Sequence, residues 1–444
     1  MSFKVISLPY GKSTIKVKVP KENLIGVIKP RDLPPVKDPI ETVKKAVSHP
    51  ILSPRLSEIA KLGDKVAIVV TDITRRCPDN IIMPVILSEL KRAGVRTKDI
   101  TAVIALGIHR PMTQEEIMAK IGEEAFRQVK VVNHNCQDKS QMIYIGTTRR
   151  LKTPIWVNKI VAEADVIITT GVVEAHTFAG YSGGRKSIVP GVSGEEAIAA
   201  VHRPEWLDDP RVGTSIIKGN PVHEDMIEMA RLVGVDFIVN VVLNCKDKMV
   251  QATAGDLIAA HEKLIATYDK MYKVKIHEQA DIVISSPAYP KDINLYQATR
   301  AANNIVLVPE PSVKKGGVII IPAPCQEGVG DELFYEWMKT ARTPLEALER
   351  TKREYKTGAH KPCLLSKILC HAEVIMANSV LPDRIIREMH LTPAKTVDEA
   401  LEMAFKKLGR NARILVSPHG ISTIPIMVSS RRRKQEWPIH NSPE

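Results

Sequence analysis

The sequence alternates between short apolar segments and helical segments along almost its whole length. Each apolar segment is a run rich in Val, Ile and Ala bounded by turn residues, which is typical of strands buried in a parallel sheet. Helical patterns lie between them, for example at residues 83–95 and 113–129, where Thr113 and Glu116 are spaced as a capping box. The predicted strands are residues 65–72, 100–107, 130–135, 164–171, 237–244, 280–287, 316–323, 372–379 and 412–418.

This alternation predicts an α/β fold with parallel sheets. A chain of 444 residues exceeds one ordinary core, so we expect two doubly wound, Rossmann-like domains with the active-site cleft between them. The polar stretch 273–279 favours a boundary near residue 275, giving domains 1–274 and 275–444. The first 20 residues read as a hairpin. The last strand, about 412–425, could join either sheet, and 430–444 reads as a flexible basic tail.

The net charge of +13 raises the question of a nucleic-acid partner. The Lys and Arg residues are spread along the chain, apart from the run 431–434, and no nucleic-acid-binding motif accompanies them. A basic surface also steers small carboxylates and phosphates into a cleft. We therefore predict small anionic ligands and no nucleic acid.

The sequence carries no membrane or secretion signal. No apolar run reaches the 18 or so residues of a membrane span, and the N-terminus lacks the apolar core of a signal peptide. The six cysteines form no CxxC pair and no framework spacing. We expect a cytoplasmic protein with free thiols and no membrane partner, and the sequence is compatible with a homo-oligomer.

The segment 174–206 is rich in chemically active residues. His176 follows a predicted buried strand, Lys186 lies in a glycine-rich turn containing Gly183 and Gly184, and His202 lies near the end of a predicted helix. A capping box at 193–196 is expected to open that helix. Singly, each histidine is more often a structural residue than a catalyst, and a glycine-rich turn alone is a weak phosphate signal. Together they can meet at one strand end, where open α/β sheets bind ligands.

Other strand ends carry similar residues. Asp72 and Arg75 follow the first strand of the alternation, and His109 follows the second. The region after residue 275 adds Tyr296, Gln297 and Arg300. Because parallel strands deliver their loops to one edge, these residues predict a ligand-binding cleft.

The chemistry of these side chains limits the roles that they can have. Two histidines could face a substrate from opposite sides, Arg75 and Arg300 could grip a carboxylate, and a lysine could bond to a carbonyl-type carbon. No GxSxG elbow, GxGxxG fingerprint after the first strand or Walker lysine loop is present.

In combination these motifs resemble the nickel-pincer lactate racemase family over roughly residues 10–425. The resemblance rests on DITR at 72–75, GIHRPMT at 107–113, HTFAGYSGGRKSIVPG at 176–191, PKDINLYQ at 290–297 and CQEGVGD at 325–331, together with His202.

The resemblance implies racemisation or epimerisation of a 2-hydroxy acid. The implied cofactor is a nickel-pincer mononucleotide (pyridinium-3-thioamide-5-thiocarboxylic acid mononucleotide with nickel), covalently attached to Lys186 and made by accessory enzymes. Hydride would pass from C2 of the substrate to the pincer and back to either face.

Roles for individual residues follow from the same resemblance. His202 would ligate the nickel, and His109 and His176 would take the hydroxyl proton, one for each enantiomer. Asp72 would hold the cofactor ribose or orient its neighbours. Gly183 and Gly184 would contact the cofactor. The substrate would be contacted by Arg75, Tyr296, Gln297 and Arg300.

Two departures from the family pattern bear on the substrate. Arg300 stands where a lysine is expected, and His360–Lys361 lies near the expected place of a pocket tryptophan. His360 and Lys361 could instead form an exposed helix start. If they line the site, the substrate is larger or more polar than lactate. The alternatives are a hydroxy-acid oxidoreductase or dehydratase using a free nucleotide, and a non-catalytic binder of an acidic ligand or the nickel nucleotide.

Overall fold

A computed structural model describes residues 2–354 and 358–428. The strands are β1 (Phe3–Tyr10), β2 (Ser13–Pro20), β3 (Leu24–Val27), β4 (Val66–Thr71), β5 (Ile100–Ala105), β6 (Lys130–Asn133), β7 (Met142–Thr147), β8 (Pro154–Asn158), β9 (Val166–Val172), β10 (Ala175–His176), β11 (Gly180–Tyr181), β12 (Phe237–Leu243), β13 (Met249–Gly255), β14 (Lys273–Ile276), β15 (Ala280–Ser285), β16 (Val313–Pro322), β17 (Glu373–Ala377), β18 (Thr392–Ala394), β19 (Ile414–Ser417) and β20 (Ile424–Met427). The helices are α1 (Pro39–Ser48), α2 (Leu56–Ile59), α3 (Asp79–Arg92), α4 (Gln114–Ile121), α5 (Glu123–Gln128), α6 (Lys159–Ala162), α7 (Glu195–Val201), α8 (Pro221–Val233), α9 (Ala259–Tyr272), α10 (Leu295–Ala298), α11 (Asn303–Val306), α12 (Glu332–Lys339), α13 (Pro344–Arg353), α14 (His360–Leu369), α15 (Asp383–Glu388) and α16 (Val397–Leu408).

The first large sheet has the strand order β13-β12-β9-β4-β5-β6. Its strands are parallel except β13, which runs antiparallel to β12. The chain moves from β4 to β5 and β6 on one side, and then returns to β9 on the other. The strand order therefore reverses between β4 and β9, and such a switch point is where open α/β sheets bind ligands.

The second large sheet has the order β18-β17-β16-β15-β19-β3 and is parallel throughout. All nine predicted strands are present, as β4, β5, β6, β9, β12, β15, β16, β17 and β19. Their residues are mostly buried because helices cover both sheet faces. The prediction of two doubly wound α/β domains is confirmed.

The two ends of the chain meet in the second sheet. Strand β3 pairs with β19, and Leu8 and Val19 of the predicted and observed β1–β2 hairpin share a core cluster with Ile284. The start of the predicted 1–274 unit thus lies against the second sheet. The last predicted strand joins this sheet as β19, and β20 pairs with β14 beside the expected boundary near residue 275. The predicted tail, residues 430–444, lies outside the described residues.

Local helix signals were partly correct. Thr113 caps α4 in a full capping box with Glu116, as predicted. The helix predicted over 113–129 breaks at Gly122, whose φ of 89° is left-handed, so α4 and α5 are separate. Helix α3 begins at Asp79, four residues before the predicted start.

The predicted capping box at 193–196 was wrong. Gly194 is the N-cap of α7, because the Ser193 hydroxyl instead donates to the Ile188 carbonyl at 2.7 Å. None of the helices in the described ranges combines the length and hydropathy needed to cross a membrane.

Candidate functional site

A cavity of about 180 Å³ lies at the carboxyl ends of β4, β5 and β9, at the switch point of the first sheet. The loops after these strands bring their polar side chains to its wall. Two residues from the second half of the chain, Gly358 and His360, complete it. The predicted site residues on the wall are Asp72, Arg75, His109, His176, Gly183, Lys186 and His202.

The glycine-rich loop after β9 forms the floor of this cavity. Gly180 and Gly183 have φ of 74° and 79°, which glycine adopts without strain. A Cβ on Gly183 would lie 2.4 Å from the Asn240 Oδ1, and one on Gly180 would lie 2.1 Å from the Ile216 carbonyl oxygen. Only glycine therefore allows the loop to lie this close to its neighbours.

Arg185 anchors the loop from below. Its side chain is 1% exposed and donates to the carbonyls of Ala179, Tyr181 and Gly183 at 2.6, 2.8 and 3.3 Å. This clamp fixes the turn that presents the next residue, Lys186. Sequence reasoning missed Arg185, although an arginine inside a buried glycine-rich segment is itself a signal, since buried arginines need several acceptors.

The Lys186 amine is enclosed by the cavity wall, with 8% of the residue exposed. Burial, together with the charges of Arg75 and Arg185, holds the pKa of Lys186 well below its usual range. A lowered pKa increases the fraction of the lysine that is present as the free amine. Such an amine can attack a carbonyl-type carbon, which is the chemistry of a covalent attachment.

His109 is held by Asp72. The ring Nδ1 lies 2.5 Å from the Asp72 Oδ2, and Asp72 is 2% exposed. Burial opposes ionisation of Asp72, but the bond from His109 prevails and lowers the pKa of this carboxyl group. An ionised Asp72 accepts a hydrogen bond from the Nδ1–H group of His109. The Nε2 atom of a neutral His109 ring is then left with a lone pair. This is the protonation pattern of a general base.

His202 is oriented by its own helix. Its Nδ1 lies 2.9 Å from the Ile198 carbonyl, so Nδ1 donates and Nε2 keeps a lone pair. Burial, followed by the charges of Lys186 and His360, lowers the pKa of His202 to about 3. A neutral imidazole with a carbonyl on its second nitrogen is the usual state of a metal ligand.

His176 carries the opposite pattern. Its Nδ1 accepts the backbone N–H groups of Phe178 and Ala179 at 3.3 and 3.2 Å, so in the neutral ring the proton lies on Nε2. Its ring centroid lies 6.3 Å from that of His202. Burial, then Lys186 and His202, lowers the pKa of His176 well below its ordinary value. His109 and His176 therefore differ in protonation pattern.

Four predicted residues do not line the cavity. Gly184 lies beneath it and donates to the Asn240 Oδ1 at 3.0 Å. The Gln297 Oε1 accepts from Arg300 at 3.0 Å, and Tyr296 packs edge-on against Phe334. Tyr296, Gln297 and Arg300 lie in the second half of the chain, and none of them borders the cavity.

His360 is the largest departure from expectation. The alternative that it forms an exposed helix start was wrong, because its ring borders the cavity with its centroid 5.9 Å from that of His202. Lys361 is buried, with its Nζ 2.7 Å from the Thr299 Oγ1. The sequence alone left both arrangements open, since a helix start can face either way.

A buried ion pair supports the loop after β4. Lys120 reaches from α4 to donate to the carbonyls of Arg75 and Cys77 at 2.7 and 2.8 Å, and its Nζ lies 3.3 Å from Asp79. Asp79 also accepts the hydroxyls of Thr71 and Thr170, each at 2.5 Å. The pair thereby ties together the ends of β4 and β9, from which the cavity is built.

No group of three or more His, Cys, Asp or Glu side chains is arranged to hold a metal ion within the part of the chain that the structure describes.

The fold and the cavity define a two-domain α/β enzyme whose site lies at the strand ends of the first sheet. Residues 10–215 match the lactate racemase N-terminal domain, and residues 275–425 match the lactate racemase C-terminal domain. The chain belongs to the lactate racemase family and is an isomerase.

Similar proteins extend over nearly the whole chain. It is 34% identical over 426 residues to a lactate racemase of Thermoanaerobacterium thermosaccharolyticum, covering 94% of this chain and 98% of that one. It is 35% identical to a lactate racemase of Lactiplantibacillus plantarum, covering 94% and 99%.

Solved structures agree with this assignment. The lactate racemase apoprotein from T. thermosaccharolyticum superposes with a TM-score of 0.86 at 34% identity, covering 95% of this chain and 100% of that one. A Thermotoga maritima protein, 18% identical, shares the fold with a TM-score of 0.66, covering 89% and 100%.

Proposed function

We propose that this protein racemises or epimerises a 2-hydroxy acid with a nickel-pincer nucleotide attached to Lys186. The observation that carries the proposal is the enclosed Lys186 amine, which shares one cavity with four imidazoles. The mononucleotide is a large group, and the glycine-rich floor gives it backbone to lie against.

The chemistry of the cavity residues fits this cofactor. The lowered pKa of Lys186, caused mainly by burial, keeps its amine free to form the attachment. The Nε2 of His202 would supply one nickel ligand, because its Nδ1 is committed to the Ile198 carbonyl. Gly183 allows close approach of the cofactor at the floor.

The protein groups have defined tasks in this proposal. When bound, the nickel-pincer nucleotide supplies a hydride acceptor and donor. The Nε2 of His109 takes the hydroxyl proton of one enantiomer, and Asp72 stabilises the resulting imidazolium. His176 serves the other enantiomer, and for this its Nδ1 must give up the two backbone N–H groups that it accepts.

Arg75 is proposed as the clamp on the substrate carboxylate. It lies on the cavity wall and can make a planar two-point contact. Arg300, Tyr296 and Gln297 would reach the substrate only after the second domain closes, since none of them borders the cavity. We further propose that the domain boundary lies near residue 275 and that accessory enzymes supply the cofactor. We also propose a cytoplasmic location and assembly as a homo-oligomer.

Loading the protein with cofactor tests the proposal. Protein made together with the cofactor-synthesis enzymes should contain about one nickel per chain, carry added mass on the Lys186 peptide and invert a D-2-hydroxy acid. Lys186→Ala should lose the added mass and the inversion, whereas Lys246→Ala, at an exposed loop, should keep both.

An unmodified Lys186 in active protein would contradict the covalent attachment. Net oxidation of the hydroxy acid with soluble NAD and no inversion would point instead to an oxidoreductase.

A further inference from the structure

His360 is the one titratable residue that the described second half of the chain adds to the cavity wall. It starts α14 and holds its ring 5.9 Å from His202, centroid to centroid. It is also close enough to His109 for the charge of that ring to oppose its own protonation. His360 thus lies close to both the proposed base and the proposed nickel ligand, on the wall of the same cavity.

The ring nitrogens of His360 make no hydrogen bond to any residue within 2–354 or 358–428. A neutral ring offers one donor and one acceptor. Neither group is committed to the described protein, so both can bond to a ligand in the cavity.

Two basic side chains lie behind His360. Lys361 is 3% exposed, donates to Thr299 and lies 5.0 Å from the Tyr296 ring centroid, and its neighbour Arg300 bonds to Gln297. Neither cation has a carboxylate within salt-bridge distance among the described residues. A substituent in the cavity would meet the His360 ring first, because neither Lys361 nor Arg300 borders the cavity.

We propose that His360 is a specificity-determining residue that binds an oxygen-bearing group attached to C3 of the substrate. The preferred substrate is therefore a 2-hydroxy acid with a hydroxyl or a carboxylate on C3, in place of the bare methyl group of lactate. This inference rests on the proposed function and concerns the substrate class of the same site.

Four probes test the inference in cofactor-loaded protein: lactate and 2-hydroxybutanoate, which are apolar at C3, and glycerate and malate, which carry a hydroxyl and a carboxylate there. We expect kcat/KM for inversion of glycerate or malate to exceed that of lactate at least about 10-fold. The glycerate and malate values distinguish the hydroxyl from the carboxylate.

Variants at residue 360 identify the source of the preference. His360→Phe should lower kcat/KM for the preferred oxygen-bearing substrate about 10- to 100-fold and leave lactate unchanged or improved. His360→Gln, which keeps a hydrogen-bonding group, should retain most of the preference. His49→Phe, at an exposed helix end, is the matched control and should change none of the four values.

Calorimetric Kd values for the same ligands separate the two proposals, because binding needs no turnover. Equal binding of all four by the wild type, or a preference unchanged in His360→Phe, would overturn the inference and leave the proposed function standing. Selective binding that His360→Phe abolishes, with no inversion of any probe by nickel-loaded protein, would support the inference and overturn the proposed function.

Discussion

At the scale of single residues, three of the four cavity histidines are distinguished by what their Nδ1 atoms contact. In His109 Nδ1 donates to Asp72, in His202 it donates to a carbonyl, and in His176 it accepts backbone N–H groups. One residue type thus presents two different protonation patterns to the cavity, according to the partner of its Nδ1 atom. Sequence spacing brings the three histidines to the same region, but it carries no information about these partners.

Asp72→Asn tests the pairing with His109. Asparagine cannot stabilise an imidazolium on His109, so we expect kcat of the loaded enzyme to fall about 10²- to 10⁴-fold with KM little changed. Inversion kinetics, measured at equal nickel content, check this. Thr74→Ala removes only the 2.8 Å bond from Thr74 to Asp72 and should cost far less.

An unchanged kcat in Asp72→Asn would contradict the positioning role. A loss of nickel with kcat per nickel unchanged would instead indicate that Asp72 holds the cofactor.

At the scale of secondary structure elements, the buried strands were predictable because each one is a continuous run of apolar residues. The caps and breaks of the helices were less predictable. The Ser193 hydroxyl donates to the Ile188 carbonyl and does not cap the helix that follows it. Gly122 ends α4 inside a continuous helical pattern. These outcomes depend on neighbours that the local sequence does not contain. The Lys120–Asp79 pair is of the same kind, since it joins α4 to the start of α3.

Lys120→Met should lower the free energy of unfolding by about 3–5 kcal/mol, because it leaves the fully buried Asp79 charged and unpaired. Urea unfolding of the full chain measures this. The double variant Lys120→Met/Asp79→Asn should recover part of the loss. Arg127→Gln, which breaks an exposed pair with Glu123, should cost less than about 1 kcal/mol. Equal effects of Lys120→Met and Arg127→Gln would contradict the supporting role of the buried pair.

At the scale of the whole molecule, stability should fall with acid because histidines are buried neutral beneath the glycine loop. Burial, then Arg185, lowers the pKa of His223 to about 3, and burial holds that of His261 well below its ordinary value. The unfolded chain binds these protons at an ordinary pKa near 6.5 and the folded chain does not. The stabilisation is therefore complete above about pH 6.5 and is lost as the pH falls toward 3.

His223→Leu should flatten this pH dependence. The His223 Nδ1 has no hydrogen-bond partner in the described part of the chain, so the replacement removes an unsatisfied group as well as a proton site. Between pH 7 and pH 5 the variant should lose about 2 kcal/mol less unfolding free energy than the wild type. Urea titrations at both pH values decide this, and parallel losses would show that His223 is already protonated in the folded chain.

The sequence by itself determined the strands, the α/β class and the strand-end loops that carry the polar residues, because hydrophobic periodicity and loop chemistry are local properties. Tertiary structure alone decided that β3 and β19 share a sheet, that Arg300 and Gln297 do not border the cavity, and that His360 faces the cavity. The physical reason is that each of these depends on contacts between residues far apart in the chain. Their free energies are set by packing and desolvation, which appear only when the two domains come together.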